Sequence, residues 1–253
     1  MRKAGDRKAM PESPDENKEA LVSRGPVMFM RPAKEREAGI EALQGALEAA
    51  AAAGMESEAA KRLSHVVLGT RVDAFRRALT GEPPAEVEPL QVVLKPDAAM
   101  DRVRAKPRQV SPEKTAWLES QMQLLCAAGM VRLNWHVTCA SVAMFVPKRK
   151  GFRLVEDYRA ANAQVELVPW PMPDLEAMSG RFQGVPAFCT LDLLQGYWQM
   201  PLAEEAQNLF MLVLPSGLYT PTRVPQGMLN TTAFFQSTMA DVLQGICPER
   251  CMV

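Results

Sequence analysis

SVAMFVPKRKGFRLVEDY, residues 141–158, sets two short β-prone runs, SVAMFV and FRLVEDY, on either side of PKRKG, a turn carrying a proline, three cations and a glycine. A period of two interrupted by turn chemistry predicts a hairpin with a basic tip. Upstream the period is 3.6. Ser111 stands at an N-cap, Pro112 at the first helical position and Gly129 at C′, with Trp117, Gln121, Leu125 and Ala128 in register and Leu118, Met122 and Leu124 beside them. That spacing predicts a helix over 112–128. Downstream, Asp174 is placed to cap a helix in DLEAMSGRF, FCTLDL (188–193) reads as a strand, and FMLVLPSGLYTPTRV (210–224) folds about Pro-Ser-Gly as a second hairpin. Phe235, Met239 and Val242 share one face of a helix over 231–243. Helices mixed with hairpins predict an α+β domain, its antiparallel sheet containing the strand that ends at Asp192 and the 210–224 hairpin, backed by helices, with 142–158 projecting.

Toward the N-terminus the pattern thins. Residues 1–32 are polar and aperiodic, the composition of a segment that cannot bury enough surface to order itself. AKEREAGIEALQGALEAAAAAGMESEAAKRL (33–63) is rich in helix formers, with Ile40, Leu43 and Leu47 on one face and a break at Gly54. Residues 1–65 are thus read as a disordered and helical extension, 66–110 as a connector and 111–253 as the principal domain. The five cysteines form no CxxC pair, which excludes a zinc-ribbon site and a secreted disulfide framework and fits reduced intracellular thiols. No run of eighteen apolar residues and no apolar stretch behind MRKAGDRK suggests a membrane span or a signal peptide.

The net charge of zero hides two opposed halves. Residues 102–159 hold eleven Lys and Arg against four Asp and Glu, whereas 160–253 hold three against eight. Lys148, Arg149, Lys150 and Arg153 crowd one hairpin tip, the arrangement a polyphosphate requires, although turn tips are often lysine-rich merely for solvation.

Four blocks, SVAMFVPKRKGFRLVEDYRAANAQ (141–164), PWPMPDL (169–175), FCTLDLLQGYWQMPL (188–202) and GLYTPTRVPQGMLNTTAFFQ (217–236), follow one another in an order and spacing that resembles the reverse transcriptase domains of gypsy-type LTR retrotransposons. The resemblance covers roughly 70–253. It implies a right-handed polymerase fold, of which 111–253 are fingers and palm, and nucleotidyl transfer from dNTPs to a primer on an RNA or DNA template. It further implies Mg²⁺ as cofactor, no membrane partner, and an intracellular setting, in a cytoplasmic particle or the nucleus.

Carried over residue by residue, the resemblance makes Asp192 the first metal-binding and catalytic carboxylate, which suits hard divalent cations. The main chain at Leu193 and Leu194 lies near the triphosphate, and Lys148 or Lys150, with Arg153, grips it; Arg153 is the better candidate because a planar fork binds two oxygens. Tyr197 excludes a 2′-hydroxyl, Gln226 contacts the sugar and Gly227 lets the backbone approach template and primer. Asp157 and Arg159, two apart on one strand face, form a structural ion pair. Gln226, where many relatives carry Phe, and Trp198, where many carry His, depart from the family pattern. The resemblance also implies a later aromatic-x-Asp-Asp hairpin. The chain reads CPERCMV and stops, so those aspartates are expected beyond Val253 and the 253 residues alone are expected to be inactive. The competing reading is a retroelement remnant that binds nucleic acid or nucleotide without catalysis.

Overall fold

The computed structural model describes residues 33–76, 81–136, 138–149, 151–174, 176, 178, 180–184, 190–247 and 251–252. The proposed disordered lead-in, Lys150 and Cys189 fall outside them. Among the described residues no helix is long and apolar enough to cross a membrane, and Cys126, Cys139, Cys247 and Cys251 are free thiols.

Helix α1 (Ala33–Ala52) ends where Gly54 adopts φ +101°, and α2 (Ser57–Ser64) resumes beyond it. Ile40, Leu43 and Leu47 are only half-buried, as their thin stripe predicts. Arg36 of α1 bonds to Asp73 at 3.2 Å, joining the extension to the connector. In the connector a single 3₁₀ turn covers Val72–Ala74, with 77–80 outside the described residues.

Helix α3 (Pro112–Ala127) closes in a Schellman arrangement. Gly129, at φ +66°, donates to Cys126 O, and Met130 N donates to Leu125 O, both at 2.9 Å. At the other end Ser111 supplies its carbonyl to Thr115 N but no side-chain cap. The buried stripe is Leu118, Met122 and Leu125, at i, i+4 and i+7; Leu124, expected beside it, falls off that face and is 60% exposed.

Five strands make one sheet in the order β1-β5-β4-β2-β3: β1 (Val131–Leu133), β2 (Ser141–Pro147), β3 (Phe152–Asp157), β4 (Leu212–Leu214) and β5 (Gly217–Pro221). Both hairpins form as expected, β2 with β3 and β4 with β5, each antiparallel. The joint between them, Ser141↔Leu212 and Val142↔Val213, is parallel, so the sheet is mixed. This corrects two expectations. The sheet is not purely antiparallel, and the basic hairpin shares it with the 212–221 hairpin instead of projecting by itself. Of the strand expected over 188–193, residues 190–193 carry no strand pairing and are exposed, and 185–189 lie outside the described residues.

Helix α4 (Arg159–Asn162) follows β3 at once. Asp174 accepts from Glu176 N through its side chain and from Met178 N through its carbonyl, both at 2.9 Å, which starts the helical turn expected there. Helix α5 (Glu204–Gln207) leads into β4, and α6 (Thr231–Val242) closes the described domain. The core gathers Leu118 and Met122 of α3, Tyr158, Trp198, Met200, Phe210, Leu212 and Val224. Tyr158 is fully enclosed, donating to Phe210 O at 3.1 Å and meeting the Phe210 ring edge-on.

Candidate functional site

Asp192 heads a tight turn. Gln195 takes a left-handed φ of 48°, Gly196–Gln199 form a 3₁₀ turn, and the Gln199 side chain donates to Leu194 O at 2.7 Å. That bond holds the main chain at Leu194, one of the two positions assigned to the triphosphate. The Asp192 carboxylate is exposed, not sunk at the end of a buried strand.

Helix α6 packs directly on this turn. A Cβ at Gly196 would stand 2.9 Å from a Phe235 ring carbon, so only glycine permits the approach. One residue on, Tyr197 meets Phe235 edge-on with centroids 5.2 Å apart, and its hydroxyl lies 3.5 Å from Thr232 Oγ1. Thr232 is in the first turn of α6, five residues after Gly227. The turn carrying Asp192 and Tyr197 and the loop carrying Gln226 and Gly227 therefore meet at one helix N-terminus.

That loop is held from the other side by two asparagines. Asn162 donates to Gly227 O at 2.9 Å and accepts from Leu229 N at 2.8 Å. Asn230, in a left-handed conformation, donates to Glu166 O at 2.8 Å and accepts from Val168 N at 3.0 Å. Gly227, at φ +89°, passes over the end of β3, where an added Cβ would lie 3.5 Å from Glu156 O. Gln226 and Gly227 are left exposed on a rigid support.

Lys148 and Arg153 are exposed at the tip and the adjoining strand, the turn closed by Lys148 N donating to Gly151 O at 2.9 Å. Among the described residues no hydrogen bond or ion pair joins them to Asp192 or Gln226. The tip stands away from Gly227 by the length of β3, roughly 15–20 Å. Asp157 and Arg159 form a bidentate pair at 2.7 and 2.8 Å, and the hydrogen bond from Arg159 lowers the Asp157 pKa.

Two features are not visible in the sequence. Glu156, within the basic block, is only 8% exposed, and burial pushes its carboxyl up to about 7 against the opposing effects of its own backbone N–H and the Arg153 charge. Its place in a strand alternating with Arg153 and Asp157 gives no sign of burial. The other is the connector, which walls an open cleft of about 630 Å³ beside Asp192. Phe75, Arg76 and Glu82 line it together with Asp192, Gln199 and Arg223. The connector is pinned there by Ala85 N donating to Gln199 O at 2.8 Å, Leu90 N to Pro201 O at 3.0 Å, and Arg223 Nη2 to Glu82 O at 2.8 Å, with Arg76 paired to Glu82. Burial lowers the pKa of Arg223.

As a metal ligand, Asp192 offers a hard, accessible carboxylate facing open space, which suits one coordination position of a divalent cation. Among the described residues no group of three or more His, Cys, Asp or Glu side chains could hold a metal. The chain's described donors therefore fit part of a metal centre, not a whole one.

A family model described as reverse transcriptase (RNA-dependent DNA polymerase) matches residues 146–252. The chain is 28% identical over 142 residues to the retrovirus-related Pol polyprotein from transposon 297 of Drosophila melanogaster, covering 54% of this chain and 13% of that polyprotein. It is 33% identical over 101 residues to the Pol polyprotein from transposon gypsy of the same organism, covering 40% and 10% respectively. The fold is similar to prototype foamy virus protease-reverse transcriptase, with a TM-score of 0.65 at 21% identity, over 76% of this chain and 26% of that one. A foamy viral protease-reverse transcriptase in complex with RNA/DNA hybrid matches with a TM-score of 0.61 at 19% identity, over 77% and 26%. The chain thus spans a minor part of each of these relatives. The α+β sheet with its two hairpins, the ordered blocks and the match over 146–252 agree: residues 146–252 are similar to part of a reverse transcriptase domain, as carried by retrotransposon polyproteins including that of gypsy.

Proposed function

We propose that the described domain is the fingers and adjoining palm of an RNA-directed DNA polymerase, binding a template-primer and a dNTP for transfer of a nucleotide to the primer 3′ end. The observation that carries this is the meeting of the Asp192–Tyr197 turn and the Gln226–Gly227 loop at the N-terminus of α6. In this reading Tyr197, braced by Phe235 and Thr232, closes the space a 2′-hydroxyl needs, while Gln226 and Gly227 line the sugar and the approach of the strands. The main chain of Leu193 and Leu194 faces the triphosphate. Lys148, Lys150 and Arg153 hold its phosphates from the hairpin tip.

Asp192 would hold Mg²⁺, which when bound supplies Lewis-acid stabilisation of the transferring phosphoryl group. The setting is intracellular, in a retroelement particle or the nucleus.

Replacing Lys148, Lys150 and Arg153 together by Ala should weaken primer-template binding and flatten the slope of log K against log salt by about two to three, one per lost phosphate contact. Fluorescence anisotropy between about 50 and about 300 mM salt measures this. An unchanged slope would mean that the tip is only solvated.

A second reading, binding without catalysis, is favoured for the 253 residues taken alone by the single carboxylate that Asp192 contributes and the lack of any larger acidic cluster among the described residues. Two cations about 4 Å apart need more ligands than that. Incubated with oligo(dT) on poly(rA), dTTP and Mg²⁺, the 253-residue polypeptide should give no measurable extension. Robust extension would refute the second reading.

A further inference from the structure

Arg223 is 7% exposed, yet no carboxylate pairs with it among the described residues. Among the described residues its side chain has one hydrogen-bond acceptor, the Glu82 carbonyl, reached by Nη2 at 2.8 Å. A guanidinium carries five N–H donors and keeps its charge at any ordinary pH, so one neutral acceptor leaves donors to spare for an anion. None of its nitrogens is a buried unsatisfied atom, and Arg223 lines the cleft together with Asp192. The acid and the base border the same space without pairing with each other.

Such a cleft matches a ligand bearing both signs of charge. A metal-complexed phosphate does so, offering its cation to Asp192 and its oxygens to the planar fork of Arg223. A carboxylate ligand alone would satisfy Arg223 and be repelled by Asp192. We propose that Arg223 is a phosphate-binding residue of the Asp192 cleft, taking a magnesium-bound phosphate of the nucleotide or of the primer strand. This deepens the polymerase reading and rests on it for the identity of the ligand, but the binding itself does not require catalysis.

The test uses the full 253-residue chain and thermal unfolding. Magnesium pyrophosphate, at a hundredfold excess over its dissociation constant, should raise the midpoint by about 5 °C. Arg223→Met should abolish that shift, and the change is read as ligand-induced shift against each protein's own midpoint, so that loss of the Glu82 bond does not enter it. Arg223→Lys keeps the charge without the fork, and should retain less than half the shift. A parallel series with a primer-template duplex separates the sources: loss confined to pyrophosphate assigns the nucleotide's phosphates, and loss confined to the duplex assigns the strand's. Equal shifts in the wild type and both variants, or no shift in the wild type with either probe, would overturn the proposal. If the Arg223-dependent shift is present while a completed polymerase proves inactive, the phosphate site stands and the polymerase reading alone falls.

Discussion

Replacing Glu156 by Gln should stabilise the protein by up to about 3 kcal/mol at pH 8 and by almost nothing at pH 4. Burial raises the Glu156 carboxyl from 4.5 to about 7, and each pH unit between those two values is worth about 1.4 kcal/mol of preference for the neutral form. Below pH 4.5 the group is protonated in both folded and unfolded chains and costs nothing. Between about 4.5 and 7 the unfolded chain releases its proton first, so stability falls as pH rises through this window. Above about 7 the folded carboxyl is ionised too, and the loss is complete. Gln keeps the shape and removes the ionisation, so the variant should lack this slope. Urea unfolding of both proteins from pH 4 to 8 measures it, and an equal difference at both ends would show that the effect of the substitution is packing, not charge. The backbone carbonyl of Glu156 lies beneath Gly227, so the main chain of this residue supports the loop that carries Gln226.

Local elements are legible in the sequence because each is fixed by chemistry within a few residues. Pro-Lys-Arg-Lys-Gly and Pro-Ser-Gly close their hairpins, Gly54 and Gly129 end their helices through positive φ, and Thr231–Val242 follows its apolar spacing. What periodicity does not encode is which strand edges join. The parallel joint of β2 and β4, with Ser141 N donating to Met211 O at 2.8 Å, links segments seventy residues apart, and nothing within either segment marks it. Helical phase is legible only approximately on α3, where Leu124 is exposed because an apolar residue between two buried ones need not share their face.

The site shows the same division. Asp192, Tyr197, Gln226 and Gly227 are identified by resemblance, and the reasons they can act together are tertiary: the Gly196–Phe235 approach, the Tyr197–Thr232 contact, and the two asparagine bridges from Asn162 and Asn230. Asn162 sits in RAAN with nothing local to mark it; its two partners are 65 and 67 residues away. The connector reads in sequence as no more than a link, yet its residues 73–76 and 82–85 wall the cleft and its 85–90 stretch lies along 199–203, a placement that only the hydrogen bonds of Ala85 and Leu90 reveal. Arg223 and Glu156 look like ordinary surface charges in sequence and are both buried.

The largest effect belongs to Asp192. In a polymerase completed by joining these residues to the later acidic hairpin and thumb of the gypsy relative, Asp192→Asn should lower Mg²⁺-dependent extension on the order of a thousandfold or more. The amide keeps the side chain's size but removes the negative charge a divalent cation requires, and electrostatic stabilisation of phosphoryl transfer is the main contribution a protein makes to this chemistry. Because the carboxylate is exposed and makes no ion pair among the described residues, the substitution should leave the thermal midpoint within about 1 °C, as surface changes usually do. Loss of activity therefore cannot be ascribed to unfolding. The decisive measurement is oligo(dT) extension on poly(rA) by the completed wild-type and Asp192→Asn proteins at equal folded concentration: synthesis by the first and none above background by the second is the predicted result, and equal synthesis by both would contradict the assignment of Asp192 as the metal-binding carboxylate.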